Sequence, residues 1–403
     1  MNILFLSIGD IPNIQHREIY PDLLREFIKK GHHVYVVCAR ERRNNAPTEL
    51  IEENGATLLK VRIGNIKKTN YVEKGISTLL INSQFKTAMK RHFSGVRFDL
   101  VIYSTPPITL VDCIEYVKKT SGAVSYLLLK DIFPQNALDL GVLTKTGIAA
   151  PIYYYFREKE KKLYQVSDYI GCMSQNNVDY VLRHNSFVDP KKVEVCPNSA
   201  EPVDLSIERE TRDRIREKYG VPVDRKVFVY GGNLGKPQGI EFLIRCVRSV
   251  KKEDIFFLII GDGTEYHKIA DYIEQEAPSH VKLIRQLPKA DYERIVSSSD
   301  IGMIFLDHRF TIPNFPSRLL SYLQARLPVL IMSDKNTDVG KIALEGGFGY
   351  WAESDCEEHF SALIDSFLQS DLREMGENGY RYFHEHYTAE KSCDIILKRV
   401  CNK

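Results

Sequence analysis

The chain has 403 residues, too many for one typical hydrophobic core and enough for two domains of about 200 residues each. Its apolar content of 43% and charged content of 27% are ordinary for a soluble globular chain, and no apolar run nears the about 18 residues needed to cross a bilayer. The net charge of +2, with no basic–aromatic module, argues against nucleic-acid binding. That charge is unevenly spread: residues 1–200 carry 27 Lys and Arg against 20 Asp and Glu, and the remainder carries 28 against 33. A basic first half and an acidic second half point to different partners. Eight scattered cysteines without a Cys-x-x-Cys, several inside apolar runs, read as free thiols of a reducing compartment rather than a disulfide frame or zinc site. A first strand from Asn2 leaves no room for a signal peptide, and a cytoplasmic location is expected.

In chain order, the predicted strands of the first half are 2–9, 33–39, 56–63, 99–105, 123–129, 167–174 and 192–198. Those of the second half are 226–232, 255–263, 281–287, 301–307 and 328–334. Most are continuously apolar, as parallel strands covered on both faces should be. Helical patterns such as "REIYPDLLREFIKKG" and "ADYERIVSSSD" separate them. This alternation predicts an α/β fold of doubly wound sheets. The pattern restarts after the charged, strand-free stretch 201–225. The expected domains are therefore 1–201, 202–375 and a helical segment, 376–403, returning to the first. Ligands of such folds bind at the carboxyl ends of the strands, here in the cleft two Rossmann-like domains would face. The turn after the first strand, "SIGDIPNIQHREIYP", is not the Gly-x-Gly-x-x-Gly of a dinucleotide site.

Two loops of the second half carry candidate chemistry. In "KVFVYGGNLGKPQGIEFLIRCV", Gly231 and Gly232 permit close backbone approach, Pro237 suits a first helical turn, and Lys236 adds a cation. The stretch reads as a plain βα turn or as an anion site at a helix amino end. In "LDHRFTIPNFPSRLLSYLQARLPVLIMSD", Ser317 is placed to cap a helix beginning near Arg318, whose guanidinium would also face an anion. Two cationic helix starts at strand ends of one domain suit a diphosphate.

With these loops in place, the chain resembles the retaining glycosyltransferases of family 4, which have the two-Rossmann-domain GT-B fold. The likeness is strongest to bacterial enzymes of capsule and O-antigen synthesis, including the branch that transfers N-acetyl-L-fucosamine. It covers nearly the whole chain and rests on "GGNLGKPQGIEFLI", "IIGDGTE", "VKLIRQLPKADYERIVSSSDIGMIFL", "FPSRLLSYLQARLPVL", "GGFGYW" and "MGENGYRYFHEHYTAEKSCDIIL". The resemblance implies a nucleotide diphosphate-sugar donor, a UDP-sugar such as an N-acetylhexosamine or N-acetyl-fucosamine, held by the C-terminal domain. It places the diphosphate at Gly232, Lys236 and the loop Asn314, Phe315, Pro316, Ser317 and Arg318, and the base at Arg285 to Pro288 with Leu287. Two carboxylates common in the family are missing, since Pro313 and Ser321 stand there; Ser321 would offer ribose a weaker hydrogen bond. The usual Arg and Lys of the first loop are replaced by Asn233 and Gln238, and Lys236 stands in for them.

The implied chemistry needs no metal and no cofactor: Lys236 and Arg318 would stabilise the departing phosphate. Without an Asp-x-Asp pair, a metal-dependent route is not expected. In the first half, Gly9 and His16 of the first loop are candidates to approach donor or acceptor. Asp131, in "LLLKDIFPQNALDLG", is a candidate to orient the acceptor hydroxyl. The expected acceptor is a lipid-linked saccharide. The basic, partly apolar stretches 67–93 and 147–165 read as helices resting on an anionic membrane surface or as ordinary core helices. A 2-epimerase of the same fold and a non-catalytic nucleotide-sugar binder remain as alternatives.

Overall fold

The computed structural model describes residues 1–66 and 69–401. The chain divides into two compact units, 1–201 with 388–403, and 202–387. Each is a sheet whose buried apolar runs are covered by helices on both sides, the arrangement that continuous hydrophobic strands demand.

The first unit holds eight strands: β1 (Asn2–Ser7), β2 (His33–Glu41), β3 (Glu49–Glu53), β4 (Ala56–Ile63), β5 (Leu100–Ser104), β6 (Val124–Leu129), β7 (Tyr169–Cys172) and β8 (Val193–Val195). Their order is β3-β4-β2-β1-β5-β6-β7-β8. Every pairing is parallel except β3 against β4. Strand β3, "ELIEE", was not expected, because its charge masks the pattern; it lies at the sheet edge, where charge blunts further pairing. Phe5, Phe27, Val36, Leu58, Ile102 and Leu128 are core residues of this unit.

The second unit holds six parallel strands: β9 (Lys226–Asn233), β10 (Ile255–Asp262), β11 (Val281–Ile284), β12 (Ile301–Phe305), β13 (Val329–Ser333) and β14 (Gly349–Glu353). Their order, β11-β10-β9-β12-β13-β14, reverses between β9 and β12. An open α/β sheet of this order forms a crevice at the carboxyl ends of those two strands. Strand β14 was also unforeseen; it is an edge strand with a half-buried, mixed sequence.

The boundary expected at 375 falls inside the helix Leu372–His386. That helix buries Met375, Gly376, Gly379 and Phe383, and a Cβ at Gly376 would meet the Arg326 carbonyl at 2.1 Å, so it is fitted closely to the second unit. Only the chain from Thr388 returns. Its helix Ala389–Cys401 packs on the helix Ile19–Lys29, with a Lys30–Asp394 ion pair at 2.8 Å.

Candidate active site at the carboxyl edge of the second sheet

The site begins with two glycines. Strand β9 runs through Gly231 and Gly232, and each glycine has its own steric reason. A Cβ on Gly231 would lie 2.1 Å from the Tyr292 hydroxyl. Gly232 has φ +127°, a backbone conformation that favours glycine, and the Arg318 Cζ lies 3.5 Å from where its Cβ would be. The bare backbone thus opens a cavity of about 340 Å³ lined by Gly232, Asn233, Ile260, Gly261, Asp262, Gln286, Leu287 and Tyr292. These residues come from the ends of β9 and β10 and from the segment after β11, with Tyr292 on the helix Lys289–Ser297.

Arg318 starts the helix Arg318–Gln324 and is drawn back against β9. Its Nη2 donates to Gln238 Oε1 at 2.6 Å, and its Cζ sits 4.3 Å from the centre of the Tyr230 ring. Its Nη1 is buried without a hydrogen-bond partner, and among the described residues no carboxylate pairs with it. Another arginine of the same unit shows what a structural role looks like. Arg216, fully buried, pairs with Asp300 at 2.8 Å and donates to the carbonyls of Ser298 and Arg225. Buried polar groups are nearly always satisfied, and an unpaired charge in a low-dielectric site is costly. Arg318 thus keeps one buried nitrogen without a partner, at the start of the helix that follows β12. Burial also raises the hydroxyl pKa of neighbouring Tyr292, to about 12, so that the site's phenol stays neutral and can donate.

Lys236 does not line the cavity that Gly232 opens. Lys236 opens a 3-10 turn, Lys236–Gln238, and the α-helix begins only at Ile240 after Gly239 at φ +59°. Lys236 is exposed and lines another cavity, of about 440 Å³, with Arg245, Lys268, His308, Arg309 and Asp307 among its walls. The neighbouring cations there are already spent, Lys268 on Glu265 and Glu241, Arg309 on Asp307. Ser317 precedes the helix as expected, but its backbone is helical and its hydroxyl caps nothing.

The remaining expected residues separate. Gly232, Asn233 and Leu287 line the cavity, which Arg318 approaches only at Gly232. Arg285 instead stacks 4.7 Å over Tyr266. Phe315 is a core residue packed 5.7 Å from Tyr387. The Asn314 amide donates to the Thr337 hydroxyl at 3.0 Å, which ties the Pro-rich loop to the end of β13, while Pro316 and Ser321 line neither cavity. Sequence reasoning passed over Asp262, Tyr230, Tyr292 and the part played by Gln238. Asp262 was within reach, since it sits in the quoted "IIGDGTE" at a strand's carboxyl end.

In the first unit, Gly9 donates its amide to the Ser7 hydroxyl at 3.0 Å, and His16 pairs with Glu18 at 3.2 Å. Asp131 follows β6, and both its oxygens accept from the Asn136 amide, at 2.7 and 2.8 Å. Burial raises its pKa to about 6 against the pull of that hydrogen bond. Burial also lowers the pKa of adjacent Lys130 to about 8. Both shifts come mainly from burial of consecutive residues at the end of β6. Among the described residues no helix is long and apolar enough to cross a membrane.

Comparison with known proteins bears on the fold. Residues 211–382 match the model of "Glycosyl transferases group 1". The chain is 24% identical over 312 residues, 77% of its length and 75% of the relative's, to the "Probable glycosyltransferase WbjE" of Pseudomonas aeruginosa. It is 20% identical over 357 residues, 85% of its length and 86% of the relative's, to the "Putative colanic acid biosynthesis glycosyl transferase WcaI" of Escherichia coli K12. Among solved structures, sucrose-phosphate synthase of Thermosynechococcus elongatus superposes with a TM-score of 0.77 at 14% identity, covering 100% of this chain and 98% of that one. HepE of Anabaena, solved in complex with UDP, gives 0.68 at 12% identity over 100% of both chains. The fold is GT-B.

Proposed function

We propose that this chain, a glycosyltransferase with a group 1 domain in its second unit, takes its sugar from a nucleoside diphosphate donor, UDP being the expected nucleotide. The observation that carries the reading is the Arg318 guanidinium, whose Nη1 is buried and unpaired and whose Cζ lies 3.5 Å from where a Cβ on Gly232, a wall of the glycine-opened cavity, would be. Gln286 and Leu287 supply a wall for the base, and the Asp262 carboxylate can accept from ribose or sugar hydroxyls in place of the missing carboxylate at 321. As the sugar–phosphate bond breaks, charge grows on the leaving diphosphate, and a fixed cation there stabilises the transition state more than the ground state. Arg318 supplies that charge, so the transfer proceeds without metal. The departing phosphate takes the acceptor proton on the face it leaves, and the anomeric configuration is retained, as in family 4.

The acceptor is a lipid-linked saccharide of a cell-surface polysaccharide. Relatives named for polysaccharide synthesis support this, and so does the surface of the first unit. Ile148 is fully exposed, and Val142, Ile152, Tyr154 and Tyr155 are exposed around the start of the helix Ala150–Val166. Ile76, Leu79 and Leu80 are exposed on the helix Tyr71–His92, and both helices pack on the helix Val111–Ser121. Lys67 and Lys68 of the basic stretch expected there lie outside the described residues. With Lys145, Lys159, Lys161 and Lys162 beside the first patch, an anionic bilayer is the complementary surface. Asp131 then serves the acceptor hydroxyl. The donor branch expected is that of the N-acetyl-L-fucosamine transferases.

The test incubates the protein with UDP-sugars and a polyprenyl-diphosphate saccharide, with and without EDTA, and follows the product by mass spectrometry. Transfer that survives the chelator and is lost in Arg318→Ala supports the reading. Epimerised donor without transfer, or turnover that collapses with EDTA, overturns it. Flotation with phosphatidylglycerol vesicles should fall in Ile148→Asp; unchanged flotation removes the membrane surface from the account.

A further inference from the structure

Three groups hold Arg318, and none carries a negative charge. The Gln238 carbonyl oxygen accepts from Nη2 at 2.6 Å, and the Tyr230 ring lies 4.3 Å beneath Cζ. Gly232 contributes only bare backbone. The Tyr230 hydroxyl donates to the Asn233 carbonyl at 2.8 Å and lies 3.3 Å from Gln238 Oε1, so the guanidinium is the donor that sets which end of the Gln238 side chain faces it. Gln238 itself is set by the 3-10 turn, its own amide donating to the Gly235 carbonyl at 2.9 Å. Glutamate has the same length and would reach the same nitrogen. It would also neutralise the charge, as Asp300 does for Arg216 at 2.8 Å. The chain thus fixes one fork of the guanidinium with a neutral acceptor and leaves the other nitrogen, Nη1, buried and without a partner.

We propose that Gln238 is a positioning residue that aims Arg318 at the phosphates of the nucleotide without neutralising it, so that the ligand's diphosphate is the first counter-charge the guanidinium meets. This rests on the donor-site reading above. Neutral positioning is a specificity device as well as a geometric one. A nucleoside without phosphates leaves Nη1 unsatisfied and gains nothing from the cation, whereas a diphosphate satisfies it by a charge-assisted bond.

The experiment titrates wild type, Gln238→Glu, Gln238→Ala and Arg318→Ala with UDP and with uridine by calorimetry, and melts each protein without ligand. The proposal expects Gln238→Glu to melt at or above the wild-type temperature while its UDP affinity falls by about tenfold or more. Its uridine affinity should match wild type. Gln238→Ala should weaken UDP binding less than Arg318→Ala does. A purely packing role would move melting temperature and UDP affinity together, and that result, or wild-type UDP affinity in Gln238→Glu, overturns the assignment. Absence of UDP binding by the wild type, or equal binding by Arg318→Ala, sinks the donor-site reading instead, so the two failures are told apart.

Discussion

The two units share a plan and differ where their first strands end. In the first unit the loop after β1 is bound by its own chain. Arg25 donates to the carbonyls of Ile14 and His16 at 2.7 and 3.0 Å and pairs with Asp22 and Glu201. Lys60 reaches the Pro12 carbonyl at 2.6 Å, and Glu53 accepts from the Ile14 amide at 2.7 Å. Arg25 and Lys60 are thus spent on holding that loop. In the second unit the end of β9 is opened by two glycines, and the Arg318 guanidinium beside Gly232 keeps a nitrogen without a partner. The surfaces differ too: of the large apolar side chains exposed among the described residues, only Val223 and Leu344 belong to the second unit. One fold, used twice, becomes a ligand grip where its polar groups are left unsatisfied, and a docking face where its apolar groups are left uncovered.

The largest effect that would break this comparison is on turnover at Arg318. Arg318→Ala should lower kcat by about 1,000-fold, the loss expected of a preorganised donor to a developing charge, with circular dichroism unchanged. Wild-type turnover in that variant would make the reserved nitrogen incidental. The next effect lies across the chain, at Asp131. Asp131→Asn should cost about 100-fold in kcat if the carboxylate orients the acceptor hydroxyl. Because burial raises its pKa to about 6, the ionised form grows as pH climbs, and wild-type kcat should rise through about pH 6 and then level. The variant should lack that limb. The sign for stability is opposite. A carboxyl whose folded pKa is raised favours the folded state below its ordinary range, and that contribution is lost as pH rises through about 6. The stability of Asp131→Asn relative to wild type should therefore improve between pH 4 and pH 7, measured by urea unfolding.

A smaller effect belongs to the glycine that opens the cavity. Gly232→Ala forces a side chain into φ +127°, at a cost of about 1–3 kcal/mol, with its methyl in ordinary contact with the guanidinium. Its melting temperature and its UDP affinity should both fall, and an unchanged pair of values would mean the backbone there has slack. The smallest effect sharpens the contrast inside the second unit. Lys236→Ala, in the separate cavity, should change donor KM by no more than about fivefold, as an exposed charge does. A loss equal to that of Arg318→Ala would restore the paired clamp that the sequence suggested.

Most strands were readable because parallel sheets buried on both faces write long apolar runs, such as "IFFLII" in β10. The two that escaped, β3 and β14, are edge strands, where charge or half-burial breaks the run. The crevice was readable in kind, since two glycines after a strand and an arginine after a Pro-rich loop announce backbone approach and anion affinity. Direction was not. Lys236 is the right residue type on the right loop, yet a 3-10 turn carries it into another cavity. Gln238 meets Arg318 across 80 positions of sequence, a contact that only the reversal of strand order between β9 and β12 creates. Phe315, read as part of a phosphate loop, turns inward onto Tyr387, because an aromatic ring gains more from the core than a backbone-lined anion site can offer it.

The most direct test is a crystal structure of the full chain with UDP. The account predicts the diphosphate within hydrogen-bond distance of Arg318 Nη1, the Gln238 contact to Nη2 retained, and the base against Leu287. Phosphates lodged instead beside Lys236 and Arg309, with Nη1 still without a partner, would contradict it.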